Sequence, residues 1–122
     1  MTVKDRIYGL VYTTEAVGPY SYTDAGGEQT VYESALATRR KISFHMDLNT
    51  MTQNGTVRIY EKVDGANYRL AVEYNFVAAD DEKVWFVDEY VTNQNFKVTY
   101  EEAVDEGAAR SIPYNAITEV KE

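Results

Sequence analysis

The segment from Lys41 to Phe76 constrains this chain more than any other, because it writes out strand patterns with a turn between them. In Lys41-Ile42-Ser43-Phe44-His45-Met46-Asp47-Leu48 the even positions are apolar and the odd ones polar, the period of a strand with one buried face. Tyr68, Leu70, Val72, Tyr74 and Phe76 repeat that alternation. Between the two, Thr56 to Val63 runs into Asp64-Gly65-Ala66-Asn67, where Asp and Gly suit the positive φ angles of a tight hairpin or short loop. The pattern predicts a chain made mostly of antiparallel sheet.

Extended along the chain, the same reading predicts strands near Arg6–Thr13, Gln29–Leu36, Arg40–Leu48, Thr56–Val63, Asn67–Phe76, Val84–Val91, Phe96–Glu102 and Arg110–Val120. Short polar breaks separate them. The expectation is one all-β domain over residues 1–122, an antiparallel β-sandwich in the form of a jelly roll of about eight strands, with a barrel as the alternative. Tyr32, Ala35, Leu36 and Arg39 lie at helical spacing, so a short helix competes with the strand there. Pro113 removes a backbone donor from the last pattern and predicts an edge, a bulge or a bend. Thr14 to Glu28 has no clear period and many turn formers. It is expected to be a long loop or arm that touches a partner through Tyr20 and Tyr22, unless those rings pack back on their own domain.

Composition narrows the chemistry. A chain of 122 residues supports one core. With no cysteine, neither a disulfide framework nor a thiolate metal site can form, and either redox compartment is permitted. No run of apolar residues is long enough to span a bilayer, and the first residues lack a basic start followed by an apolar stretch. The expectation is a soluble chain without a signal peptide or membrane partner. The net charge is −8, concentrated between Glu73 and Glu106, where ten acidic residues face only Lys83 and Lys97. A negative surface repels phosphate backbones, so no nucleic acid is expected as a partner.

No catalytic constellation stands out. His45 is the only histidine and lies on the polar face of its strand, the position of a surface side chain rather than a general base. No Gly-rich phosphate loop, H-E-x-x-H or G-x-S-x-G occurs. Asp80-Asp81-Glu82, Asp88-Glu89, Glu101-Glu102 and Asp105-Glu106 could supply calcium oxygens, yet none follows the D-x-D-x-D-G loop. A solvated acidic edge that discourages strand-to-strand aggregation is the simpler reading. No enzyme activity, cofactor or metal is expected.

Val84-Trp85-Phe86-Val87 is the most continuously apolar stretch. Val84 and Phe86 share one face and Trp85 and Val87 the other, so both sides of this strand call for cover and a second subunit could supply one of them. Trp85 and Val87, with Tyr20 and Tyr22, are the interface candidates. Eleven of the 16 aromatic residues are tyrosine, a ring that suits half-exposed strands and interfaces. A carbohydrate-binding or adhesin-like module that stacks glycans on Tyr20, Tyr22, Tyr60, Trp85 or Tyr90 is the alternative.

The stretches Met51 to Arg69, Asn95-Phe96-Lys97-Val98-Thr99 and Asp105 to Tyr114 together resemble small all-β virion proteins of tailed phages or related viruses. The resemblance covers roughly the last two thirds of the chain and carries no motif, so no binding residues transfer with it. It implies a sandwich or jelly roll that decorates a capsid or forms part of a tail, often as a trimer. The resulting expectation is a non-enzymatic assembly or decoration subunit at a virion surface. It would be a homo-oligomer, with a trimer favoured, and would contact other virion proteins.

Overall fold

A computed structural model describes residues 6–7, 10–23, 27–34 and 38–121. The described residues form eleven strands and no helix: β1 (Arg6–Ile7), β2 (Leu10–Val17), β3 (Tyr20–Tyr22), β4 (Gln29–Glu33), β5 (Arg40–Asp47), β6 (Gly55–Glu61), β7 (Arg69–Phe76), β8 (Val84–Thr92), β9 (Phe96–Glu102), β10 (Arg110–Ile112) and β11 (Tyr114–Lys121). One sheet has the order β1-β2-β11-β5-β8 and the other β4-β9-β6-β7. Every pairing is antiparallel. Apart from the β6–β7 hairpin, successive long strands cross from one sheet to the other, which is the double Greek key of a jelly roll. The expected fold class is therefore the observed one.

Alternation explains why these residues make these sheets. In β5 each even-numbered residue from Arg40 to Met46 is buried and each odd one half-buried. Ile42, Phe44 and Met46 from that sheet meet Val57, Ile59, Val98 and Tyr100 from the other. Phe44 stands at the centre, stacked on Tyr32 and Tyr114 with ring centroids 6.0 and 5.8 Å away. The hairpin between β6 and β7 closes as its sequence requires. Gly65 takes φ +78°, and the Asp64 carboxylate accepts the Ala66 and Asn67 amides at 2.9 and 2.8 Å. Those bonds, from Asn67 first and then Ala66, hold the Asp64 carboxyl down to about 2.

Residues 14–23 and 27–28 are not the free arm expected of 14–28; residues 24–26 lie outside the described residues. Thr14–Val17 continues β2 against β11, and β3 pairs with β10, Tyr20 opposite Ile112 and Tyr22 opposite Arg110. This small ribbon caps one end of the sandwich. Tyr22 points into the core, where its hydroxyl donates to the Gly27 carbonyl at 2.6 Å and accepts the Glu102 amide at 3.0 Å. Pro113 separates β10 from β11, the bend its missing donor predicted. The helical spacing at Tyr32–Arg39 does not produce a helix at Tyr32 or Glu33, which belong to β4; residues 35–37 lie outside the described residues.

Gly55 starts β6 under the fully buried Tyr100 ring. A Cβ there would lie 2.2 Å from the Tyr100 hydroxyl and 2.8 Å from the Glu101 carbonyl oxygen, and neither can give way, one being locked in the core and the other backbone. Gly55→Ala will therefore destabilise the domain by about 1–3 kcal/mol through overpacking. Chemical denaturation measures this directly, and an unchanged midpoint would mean that the strand shifts freely at this point.

Candidate functional site

Among the described residues β8 is an edge strand of its sheet and β7 an edge strand of the other, so their outer backbone donors and acceptors have no strand partner there. The pairing of β8 with β5 decides which way its apolar residues point. Val87 lies opposite the buried Phe44 and Trp85 opposite the buried Met46, so both turn inward. The Trp85 ring bridges the two sheet edges, its centroid 6.4 Å from both Phe44 and Tyr74. Phe86 and Val84, opposite His45 and Asp47, turn outward and remain 57 and 55% exposed.

The outward residues continue across the sheet in register. Val17 pairs with Asn115, Asn115 with His45, and His45 with Phe86, which places the 68% exposed Val17 in the same cross-strand row as Phe86. Between Val17 and Val84 a groove of about 230 Å³ is lined also by Pro113 and Tyr114, with His45, Asp47 and Asn115 in its wall. His45 packs its ring edge on Phe86 with centroids 5.7 Å apart and places Nε2 3.5 Å from an Asp88 oxygen. A bulge in β8, where Asp88 and Glu89 lie between the pairs Phe44–Val87 and Ile42–Tyr90, holds Glu89 at φ +57°; such a kink in an edge strand interrupts ladder growth beyond it.

On the opposite face of the sandwich, the outer side of β4, β9 and β6 carries a second concavity of about 370 Å³. Its walls are Tyr60 and Tyr68. Each ring is pinned at its hydroxyl, Tyr60 donating to Glu28 at 2.6 Å and Tyr68 to Glu33 at 2.7 Å. Lys97 lies between the rings, its ammonium 5.2 Å from the Tyr60 centroid and 4.8 Å from that of Tyr68. Burial and the neighbouring carboxylates raise both phenols above their ordinary pKa. For Glu28, burial opposes the charge, but hydrogen bonds from Thr99 and Tyr60 and the positive charge of Arg58 outweigh it, so its carboxyl sits below the ordinary value. Arg58 also pairs with Glu73 and Glu101, each at 2.9 Å.

The four interface candidates read from sequence are not brought together. Tyr22 has no exposed surface and is a core residue. Tyr20, Trp85 and Val87 pack against the core, and the Tyr20 hydroxyl donates to Gln29 at 2.8 Å. The outward residues of the same stretch, Val84 and Phe86, are the ones left exposed. Val17 and the Tyr68–Lys97 pair carried no signal in the linear pattern, because cross-strand pairing alone makes them neighbours. Among the described residues the acidic pairs form no group of three or more side chains able to hold a metal ion, and no helix is long and apolar enough to cross a membrane.

The fold and these surfaces define a jelly-roll β-sandwich of the kind found in assembly and binding proteins. No protein-family model and no curated protein sequence matches the chain. Solved structures match it by fold. A Bacillus endospore appendage protein, from a family of disulfide-linked pili, aligns over 94% of this chain and 89% of its own at 12% identity and TM-score 0.55. PirA aligns over 90 and 96% at 9% identity and TM-score 0.52. The infectious bursal disease virus VP2 subviral particle protein is a looser neighbour, at 10% identity and TM-score 0.45, and this chain spans 31% of its length. At these identities the likeness shows the fold alone, and it is not specific to proteins of tailed phages.

Proposed function

We propose that this protein is a non-enzymatic structural subunit, an assembly or decoration protein of a viral particle, and that it associates with further copies of itself through the outer face at Val17, Val84 and Phe86. The observation that carries the reading is the apolar groove between the exposed Val17 and Val84, with the exposed Phe86 beside Val84 on the edge strand β8. Isolated exposed apolar side chains are ordinary, whereas a contiguous set marks an interaction surface. Burying a Val or Phe side chain stabilises by about 1.5–3 kcal/mol, so three on one face supply a driving force that solvent exposure forfeits. The pilus-type neighbour is described as disulfide-linked; this chain has no cysteine, so its own contacts would be noncovalent.

Light scattering after size exclusion, over a concentration series, tests the reading. The native protein is expected to form a closed oligomer, a trimer by the virion resemblance. Phe86→Asp should weaken association about tenfold or more, while Lys83→Ala leaves it unchanged. Both side chains are outside the core, so circular dichroism should show both variants folded. A native protein that stays monomeric at every concentration would overturn the assembly reading.

A further inference from the structure

The groove walled by Tyr60 and Tyr68 has no part in the assembly face, since it opens on the outer side of the other sheet. We propose that it is a binding site for a neutral saccharide chain. Its volume lies at the lower end of small-ligand pockets, about 300–1,000 Å³. The walls are two half-exposed rings whose orientation is fixed before any ligand arrives, because Glu28 and Glu33 hold their hydroxyls. Preorganised aromatic walls give a sugar ring an apolar surface to lie against at little entropic cost.

The polar groups suit hydroxyls better than charges. Lys97 offers a donor, and among the described residues its ammonium forms no ion pair and rests only against the two rings. The Thr30 hydroxyl lines the same groove from an exposed position and adds a group that can donate or accept. Glu28 and Glu33 at the ring hydroxyls bring acceptor oxygens to the rim. Donors and acceptors therefore alternate around an apolar wall, the arrangement that a ring with an apolar face and a hydroxylated edge requires. An anionic ligand fits less well. Arg58 is paired with Glu28, Glu73 and Glu101, the carboxylates of Glu28 and Glu33 stand at the ring hydroxyls, and the whole chain carries −8, so the local field gives an anion no net attraction.

Isothermal titration of the full chain with neutral gluco-, galacto-, manno- and xylo-oligosaccharides, with polygalacturonate as the acidic arm, decides the matter. The expected result is saturable binding to at least one neutral chain, insensitive to added salt. Tyr60→Ala and Tyr68→Ala should each weaken it about tenfold or more. Thr30→Trp, which fills the groove without removing any hydrogen bond of the walls, should abolish it while leaving the melting temperature unchanged; this variant keeps the test valid if a tyrosine variant unfolds. Phe86→Asp should bind as the native chain does, which separates this site from the assembly face. Binding to polygalacturonate alone, lost on adding salt, would overturn the proposal. So would silence across the panel, or binding that survives Thr30→Trp.

Discussion

Replacing Glu15 with alanine will remove about 3–5 kcal/mol of stability and lower the melting temperature by about 10–20 °C. The Glu15 carboxylate on β2 accepts the Arg40 Nε at 2.9 Å and the Tyr32 hydroxyl at 2.8 Å. Arg40 on β5 also donates to the Thr38 carbonyl and the Ser34 hydroxyl, and lays its guanidinium over the Phe96 ring. Its side chain has no exposed surface and that of Glu15 only 4%. The network ties β2 and β5 of one sheet to β4 of the other. Without Glu15 a guanidinium is left in the interior with no counter-ion, and that residue of charge, rather than the lost attraction, sets the cost. Glu15→Leu combined with Arg40→Met removes both charges, so it should recover at least half of the single-variant loss in urea denaturation. A double variant whose loss equals the sum of the two singles would show that the charges are not coupled.

The same network marks where the sequence stops being legible. Strands β5, β6 and β7 can be read from alternation because each buried position is occupied by an apolar side chain. Arg40 breaks that rule, standing on the inward face one position before Lys41-Ile42, and its partner lies 25 residues away on another strand. No local pattern points to Glu15. β8 is read as a strand, Val84–Val91 against the observed Val84–Thr92, but its inward face is hidden for a related reason. Val84, Trp85, Phe86 and Val87 are all apolar, so periodicity cannot choose an inward face; pairing with Phe44 and Met46 chooses it. The tyrosines of β3 differ only in direction, and the β3–β10 ribbon, joining residues nearly ninety apart, turns Tyr22 inward. The groove at Tyr60 and Tyr68 was half visible. Tyr60 could be singled out as a candidate sugar-stacking ring, but Lys97 joins it only because β9 lies beside β6 and Lys97 falls opposite Tyr60. Turns, by contrast, are local, and Asp64-Gly65 and Pro113 behave as their own chemistry dictates.

Glu106 gives the second large effect and the one that depends on pH. Its carboxylate, with no exposed surface, accepts the Thr52 amide and hydroxyl at 2.9 and 2.7 Å and the Gln53 amide at 2.9 Å, with Arg110 Nε at 3.4 Å. One side chain thus joins the loop after β9 to the loop between β5 and β6. Burial alone would push the carboxyl up, but the bonds from Thr52 and Gln53 and the charge of Arg110 outweigh it and hold it below its ordinary 4.5. A folded-state value lower than the unfolded one means that the stabilisation is complete above about pH 5 and is lost as pH falls past 4.5 and through the folded value. Glu106→Gln keeps the shape but turns an amide N–H toward one of the three donors, so it should cost about 1.5–3 kcal/mol at neutral pH. Other depressed carboxyls, Glu28 among them, will weaken both proteins in acid. The informative quantity is therefore the difference between native and variant, which should narrow as pH falls past 4.5 and on through the lowered folded value. Urea denaturation of both across that range reads it, and a gap that stays constant with pH would show that Glu106 acts through shape rather than through its charge.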